Sequence, residues 1–84
     1  MKNMLNQEKE EKGMQKSTVV KTRTRGCVLV DTRVLADHEL LTRVFASDEN
    51  GHVSRWVELD GDIHATKSYA SKGHEEMVEK WKNM

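Results

Sequence analysis

The chain has no proline and a single cysteine, Cys27, among its 84 residues. One cysteine excludes an intrachain disulfide, and a lone thiol suits a reducing compartment, so a cytoplasmic location is expected. No stretch approaches the roughly 20 apolar residues that cross a bilayer as a helix, which argues against a membrane partner. The opening MKNMLNQEKEEKGMQK lacks the apolar segment of a secretory signal. No glycine-rich run leads into a helix, so a phosphate loop is missing as well. Nor is there net charge, because 14 basic residues balance 14 acidic ones.

That balance hides an asymmetry. Residues 1–26 carry seven basic residues against three acidic ones, and residues 27–84 carry seven against eleven. Such a split suits a basic arm lying on nucleic acid, on an acidic partner or on a neighbouring subunit. Eighty-four residues make one domain at most, and a chain this short buries only roughly 60% of its unfolded surface. With disulfides excluded, homo-oligomer formation is the expected way to add stability.

Residues 1–17 are polar, with Met1, Met4, Leu5 and Met14 as their only apolar members. They read as a flexible N-terminal arm, and residues 18–84 as a small α+β domain. The triplet Lys9-Glu10-Glu11 is encodable by a purine-rich stretch of ribosome-binding type, so a translation start at Met14 stands beside one at Met1.

Alternation over Val19–Arg25 predicts a strand with Lys21, Arg23 and Arg25 in one row. Gly26 then predicts a bend. The run Cys27–Val30 predicts a second strand, with residues 31–36 open between strand and short helix. Leu40–Ala46 predicts a third. Asp48-Glu49-Asn50-Gly51 is a turn signal, since Asp bonds its own following backbone and Asn-Gly tolerates positive φ. A return strand is expected over His52–Leu59, with Trp56 placed to cover a second apolar surface, and Asp60-Gly61-Asp62 is expected to break it.

Thr66 or Ser68 offers the N-cap of a final helix. That helix stacks Tyr69, Gly73, Met77 and Trp81 at intervals of four, beside Ala70, His74 and Val78, and pairs Glu76 with Lys80 on its outer side. Gly73 costs such a helix about 1 kcal/mol relative to Ala, which predicts a close approach to a strand. The resulting fold is α+β: an antiparallel sheet of three to four strands with the C-terminal helix packed on one face.

The stretch from Val44 to Trp81 resembles a set of small uncharacterised proteins from phages and prophages of Gram-positive bacteria. The matching pieces are Val44-Phe45, Asp48-Glu49-Asn50-Gly51, Trp56, Glu58-Leu59-Asp60, and Gly73-His74-Glu75-Glu76 with Val78 and Trp81. The helix start Lys67-Ser68-Tyr69-Ala70-Ser71-Lys72 departs from the acidic, alanine-containing start of that set. The resemblance implies a phage or prophage origin more than a mechanism; by analogy, small phage proteins of this size act by binding a host protein, a nucleic acid or a defence component.

Asp60, Asp62 and His64 have the spacing of half a divalent-metal site, but they read more simply as a polar turn around Gly61. His74 lies in the apolar stripe, where a histidine ordinarily packs its ring and bonds a backbone carbonyl. His74-Glu75-Glu76 is no zinc-protease motif, because position 78 is Val. Cys27 beside Val28–Val30 reads as an inert thiol. No catalytic constellation, metal or cofactor is therefore expected.

What is left is binding. The anticipated partner-binding residues are Lys21, Arg23 and Arg25 for charge and Trp56, Tyr69 and Trp81 for anchoring area. A nucleic-acid role for the basic strand is the alternative. A small-molecule sponge at a subunit interface is a third.

Overall fold

Strands and turns follow the chain's alternation and its glycines. The computed structural model describes residues 15–35 and 39–84. Strand β1 spans Gln15–Lys21, β2 Cys27–Val34, β3 Leu40–Ser47 and β4 Asp60–His64, and a helix, α1, spans Lys67–Lys82. The strands form one antiparallel sheet in the order β1-β2-β3-β4, with α1 packed across it. This is the expected α+β architecture, with four strands. Most of the polar N-terminal arm, and with it Met14, lies outside the described residues.

Three stretches bear on the sequence expectation: two differ from it, and one that it left open is settled. First, β1 begins at Gln15 and stops at Lys21, so Arg23 and Arg25 are not strand residues. Thr22 ends the strand: its Oγ1 donates to the Gly26 carbonyl at 2.7 Å and accepts from the Arg25 N–H at 2.8 Å. Gly26 closes the loop at φ +75°, where a side chain would be strained. Second, residues 31–34 are strand, because β2 is paired on both sides, Asp31 standing between Ser17 and Arg43.

Third, no strand forms over His52–Leu59. The Asp48–Gly51 turn is present, with Asp48 Oδ1 accepting from the N–H groups of Asn50 and His52 at 2.8 and 2.9 Å and Gly51 at φ +86°. The chain then packs on the sheet face opposite α1. There Gly51 lies against Val19, whose Cγ2 is 3.0 Å from where a Cβ would stand, and Trp56 lies edge-on to Phe45. The chain rejoins the sheet where the Leu59 N–H meets the Val44 carbonyl at 2.8 Å. The pairing partner of β3 is thus Asp60-Gly61-Asp62-Ile63-His64, the segment expected to interrupt a strand. Its polar residues override their low strand propensity because two of them find partners. Asp60 Oδ2 accepts from Lys80 Nζ at 2.7 Å and from Trp81 Nε1 at 3.0 Å, and His64 reaches Thr42.

Helix α1 is capped by Thr66, whose Oγ1 accepts the Tyr69 N–H at 3.2 Å, and it ends with Lys80 and Lys82 near the negative end of its dipole. Lys80 pairs with Asp60, so it is drawn to β4 and not along the helix to Glu76. The buried helix residues are Ala70, His74, Met77 and Trp81. All four belong to the predicted stripe, Met77 and Trp81 from the Tyr69 row and Ala70 and His74 from the row beside it, whereas Tyr69 itself is exposed. Val20, Val28, Val30 and Val44 meet Met77 and Trp81 in the apolar core.

Gly73 is the point of closest approach, as its cost to the helix implied. A Cβ there would run into the His64 ring, 2.9 Å from Nδ1 and 3.1 Å from Nε2. Replacing Gly73 by Ala sets a helix-propensity gain of about 1 kcal/mol against an overpacking cost of about 1–3 kcal/mol. The ring is held by Thr42, so overpacking wins. Gly73→Ala is expected to lower stability by about 1 kcal/mol and Tm by several degrees, measured by thermal unfolding. An unchanged or raised Tm would contradict this packing.

Candidate functional site

Strand parity divides the sheet into two faces with different contents. Thr18, Val20, Val28, Val30, Thr32, Leu40, Thr42, Val44 and His64 point toward α1, and all but the half-buried Thr18 are buried. Val19, Leu29, Asp31, Arg33, Leu41, Arg43, Phe45 and Ile63 alternate with them on the outer face.

The helix-facing side holds a continuous run of polar side chains. Thr18 Oγ1 lies 2.8 Å from His74 Nε2, and His74 Nδ1 lies 2.7 Å from Thr32 Oγ1. Thr32 Oγ1 lies 2.5 Å from Thr42 Oγ1, which lies 2.8 Å from His64 Nε2. Thr32 and Thr42 are 0 % exposed and His74 is 1 % exposed, so bulk water supplies none of their partners. These bonds satisfy groups whose burial unpaired would cost about 1–3 kcal/mol each. His74 therefore bonds two hydroxyls, not the backbone carbonyl expected of a packed histidine. Sequence reasoning missed the chain because each Thr is an ordinary strand residue and only the register brings them together.

Burial pushes the His74 imidazole below its ordinary value of 6.5, and the Lys16 ammonium adds to the effect. Burial also pushes the Asp31 carboxyl up, but hydrogen bonds from Arg33 and Ser17 outweigh it and hold Asp31 below 3.8. Asp60 is held low first by the bond from Lys80, with Trp81 and the Gly61 N–H contributing.

The outer face mixes charged side chains with apolar ones that are only partly covered. Trp56 meets the buried Phe45 ring at a centroid distance of 4.9 Å and an interplanar angle of 72°. The Arg43 guanidinium stands 5.3 Å from the same ring centroid. Arg43 Nε is buried with no hydrogen-bond partner among the described residues. Trp56 remains 65 % exposed, Ile63 65 % and Val57 62 %. Phe45, Arg43 and Ile63 were not anticipated. Alternation in Leu41-Thr42-Arg43-Val44-Phe45 already put the first two on one face, whereas Ile63 depended on β4.

The six residues anticipated for partner binding are not brought together. Lys21, Arg23 and Arg25 lie at the β1–β2 end, where Lys21 lines a shallow cavity of about 620 Å³ that also contains Cys27, Asp48 and Glu49. Tyr69 is at the opposite end of α1, beside Asp62, His64, Lys72 and Glu76. Trp56 is on the outer face. Trp81 is 4 % exposed and packs in the core, so its indole offers no surface to a partner. Asp60, Asp62 and His64 share the helix-facing side of β4, but no group of metal-binding residues occurs among the described residues. No helix among the described residues is long and apolar enough to cross a membrane. Comparison with protein-family models, curated proteins and solved structures gives no match.

The pKa of His74 sets a direction for stability against pH. The unfolded chain binds a proton near pH 6.5 that the folded protein resists, so this contribution is complete above about pH 6.5 and is lost as pH falls below it. Asp31 and Asp60 have lowered values, so their contributions fall away only at lower pH, beginning near 3.8. Urea unfolding between pH 7.5 and 5 is expected to show a falling midpoint, with His74→Gln flattening the slope. A wild-type midpoint level across that window would contradict the assignment.

Proposed function

We propose that this chain is a non-catalytic binding protein of phage or prophage origin that engages a host or phage protein through the outer face of its sheet. The observation that carries the reading is the exposure of Trp56 and Ile63 on the side of the sheet that α1 leaves uncovered, Trp56 against the Phe45 ring beside Arg43 and Ile63 paired across from Leu41. Aromatic anchors beside arginine are the composition of interface hot spots. The partner chemistry follows from the same residues. An apolar segment would cover Trp56 and Ile63, and an acidic side chain would pair with Arg43, which makes no ion pair among the described residues. The origin rests on the resemblance of Val44–Trp81 to small phage proteins.

A nucleic-acid role is less well supported. Arg23 and Arg25 stand in a turn, not in a row along a strand, and Lys21 shares its cavity with Asp48 and Glu49. Phosphate binding would in any case weaken steeply with added salt.

The test is affinity capture from a Gram-positive host lysate with and without nuclease, in parallel with Trp56→Ala and Ile63→Glu variants of unchanged circular dichroism. One protein retained by the wild type after nuclease and lost by both variants at least tenfold is the expected result. Capture that depends on intact nucleic acid would replace this reading with the basic-turn one. Concentration-dependent dimerisation that both variants abolish, without a captured protein, would make a second copy of the chain the occupant and overturn the heterologous partner.

A further inference from the structure

The two edges of the sheet are finished differently. The Thr22 N–H bonds the Gly26 carbonyl at 2.9 Å, and antiparallel pairing alternates residue by residue. That phase turns the peptide groups of Lys16, Thr18 and Val20 toward β2 and those of Gln15, Ser17, Val19 and Lys21 away from the sheet. Carried through the next two registers, it turns Gly61 and Ile63 outward on β4. Both of those outward N–H groups are occupied by their own neighbours: Asp60 Oδ1 accepts from Gly61 at 2.9 Å, and Asp62 Oδ1 accepts from Ile63 at 3.0 Å. On β1 the outward groups of Ser17, Val19 and Lys21 have no such partner among the described residues. One edge is capped and the other is open.

An open edge takes up another strand through main-chain hydrogen bonds, and the side chains of β1 say which strand fits. Lysines that project across an edge guard it, but neither lysine of β1 does so. Lys16 Nζ is drawn to Glu75 of α1 at 2.9 Å, and Lys21 shares its cavity with Asp48 and Glu49. An acidic foreign strand gains little there, because both lysines already have carboxylates beside them. Between the two, Ser17-Thr18-Val19-Val20 is uncharged. A twofold axis at Thr18 lays β1 antiparallel on β1 of a second copy and matches outward groups to outward groups. Ser17 meets the partner's Val19, Gln15 meets the partner's Lys21, and Lys16 lies across from the partner's Val20. No like charges oppose each other in this register. On β4, matching Gly61 to the partner's Ile63 would set Asp62 against the partner's Asp62, which is unfavourable.

We propose that β1 is the pairing edge of a homodimer, in which the four-stranded sheets of two copies join through Gln15–Lys21 into one continuous sheet. The contact is isologous and closes on itself. Its axis stands perpendicular to the sheet, so both helices lie on one side and both outer faces on the other. The dimer thus presents Trp56 and Ile63 twice on a single surface, the arrangement that gains from a repeated partner. A strand of 7 residues is well short of the about 20–30 residues a side of a standard stable interface, so the dimer dissociates on dilution.

Sedimentation equilibrium of the full chain from micromolar to millimolar concentration, with amide hydrogen exchange read by NMR over the same series, tests the edge. The expected result is a mass that climbs from one chain toward two. Exchange at the Ser17, Val19 and Lys21 amides should slow about fivefold in step with it, because the paired edge is protected only in the dimer. Val19→Pro removes only an outward N–H, a place where an edge strand accepts proline; it should stay monomeric with unchanged circular dichroism. Trp56→Ala and Ile63→Glu should dimerise as the wild type does. A chain that stays monomeric throughout, a dimer whose Ser17 and Val19 amides exchange as fast as in the monomer, or a dimer that Trp56→Ala abolishes would each overturn the proposal. Protection that does not change with concentration would overturn it too, by placing another part of the same chain on the edge. If Val19→Pro does not fold, the wild-type exchange series decides alone.

Discussion

The seating of α1 on the sheet depends on one buried polar contact, the imidazole of His74 between Thr18 and Thr32. The apolar core is small, consisting mainly of four valines with Met77 and Trp81. Hydrophobic burial is non-directional and would tolerate some sliding of the helix. His74 does not tolerate it, because displacement would leave buried donors or acceptors unpaired. Asp60 fixes the other end of the helix by accepting from both Lys80 and Trp81. Between these two points Gly73 lets the helix backbone lie against the His64 ring. Polar contacts thus set the register that packing alone would leave loose.

Local rules were legible wherever one residue and its neighbours determine the backbone. Thr66 capped the helix, Asp48–Gly51 turned, Leu40–Ala46 extended, and the presence of Gly73 in a helix signalled a close contact. Pattern reading failed where a segment takes its conformation from distant partners. Asp60–His64 has the composition of a turn, yet it is a strand because β3, Lys80, Trp81 and Thr42 receive it. The better alternation of His52–Leu59 lost that place, and its residues lie on the outer face with Trp56 over Phe45. The basic row failed for a local reason that was present but not weighed: Thr22 bonds the Arg25 N–H and the Gly26 carbonyl and so turns the chain after Lys21.

The candidate site was less legible than the fold. Trp56 was placed on a second apolar surface by alternation alone, and its contact with Phe45 is of that kind. Trp81 was read as surface area because an indole on a helix stripe has the same sequence signature whether it faces a core or a partner. Its bond to Asp60 decides for the core, and no short-range pattern contains that bond. The two histidines illustrate the same limit, since their hydroxyl partners are spread over three strands.

The two sides of the sheet are structurally separate but electrostatically joined. Alternation puts Val44 against Met77 and Trp81 and turns Phe45 toward Trp56, so substitutions on the outer face leave the helix seat untouched. Asp31 is the exception. It belongs by parity to the outer face, where it accepts from Ser17 and Arg33, yet its charge acts on His74 through the sheet and favours the imidazolium. Arg33 offsets that charge and is itself partly exposed. Because attraction between unlike charges grows as the local dielectric falls, covering the partly exposed Arg33 strengthens its attraction to the already buried Asp31. The face with the exposed tryptophan and the run of hydroxyls under the helix therefore share one ionised group, and the ion pair of Arg33 with Asp31 is the physical link between them.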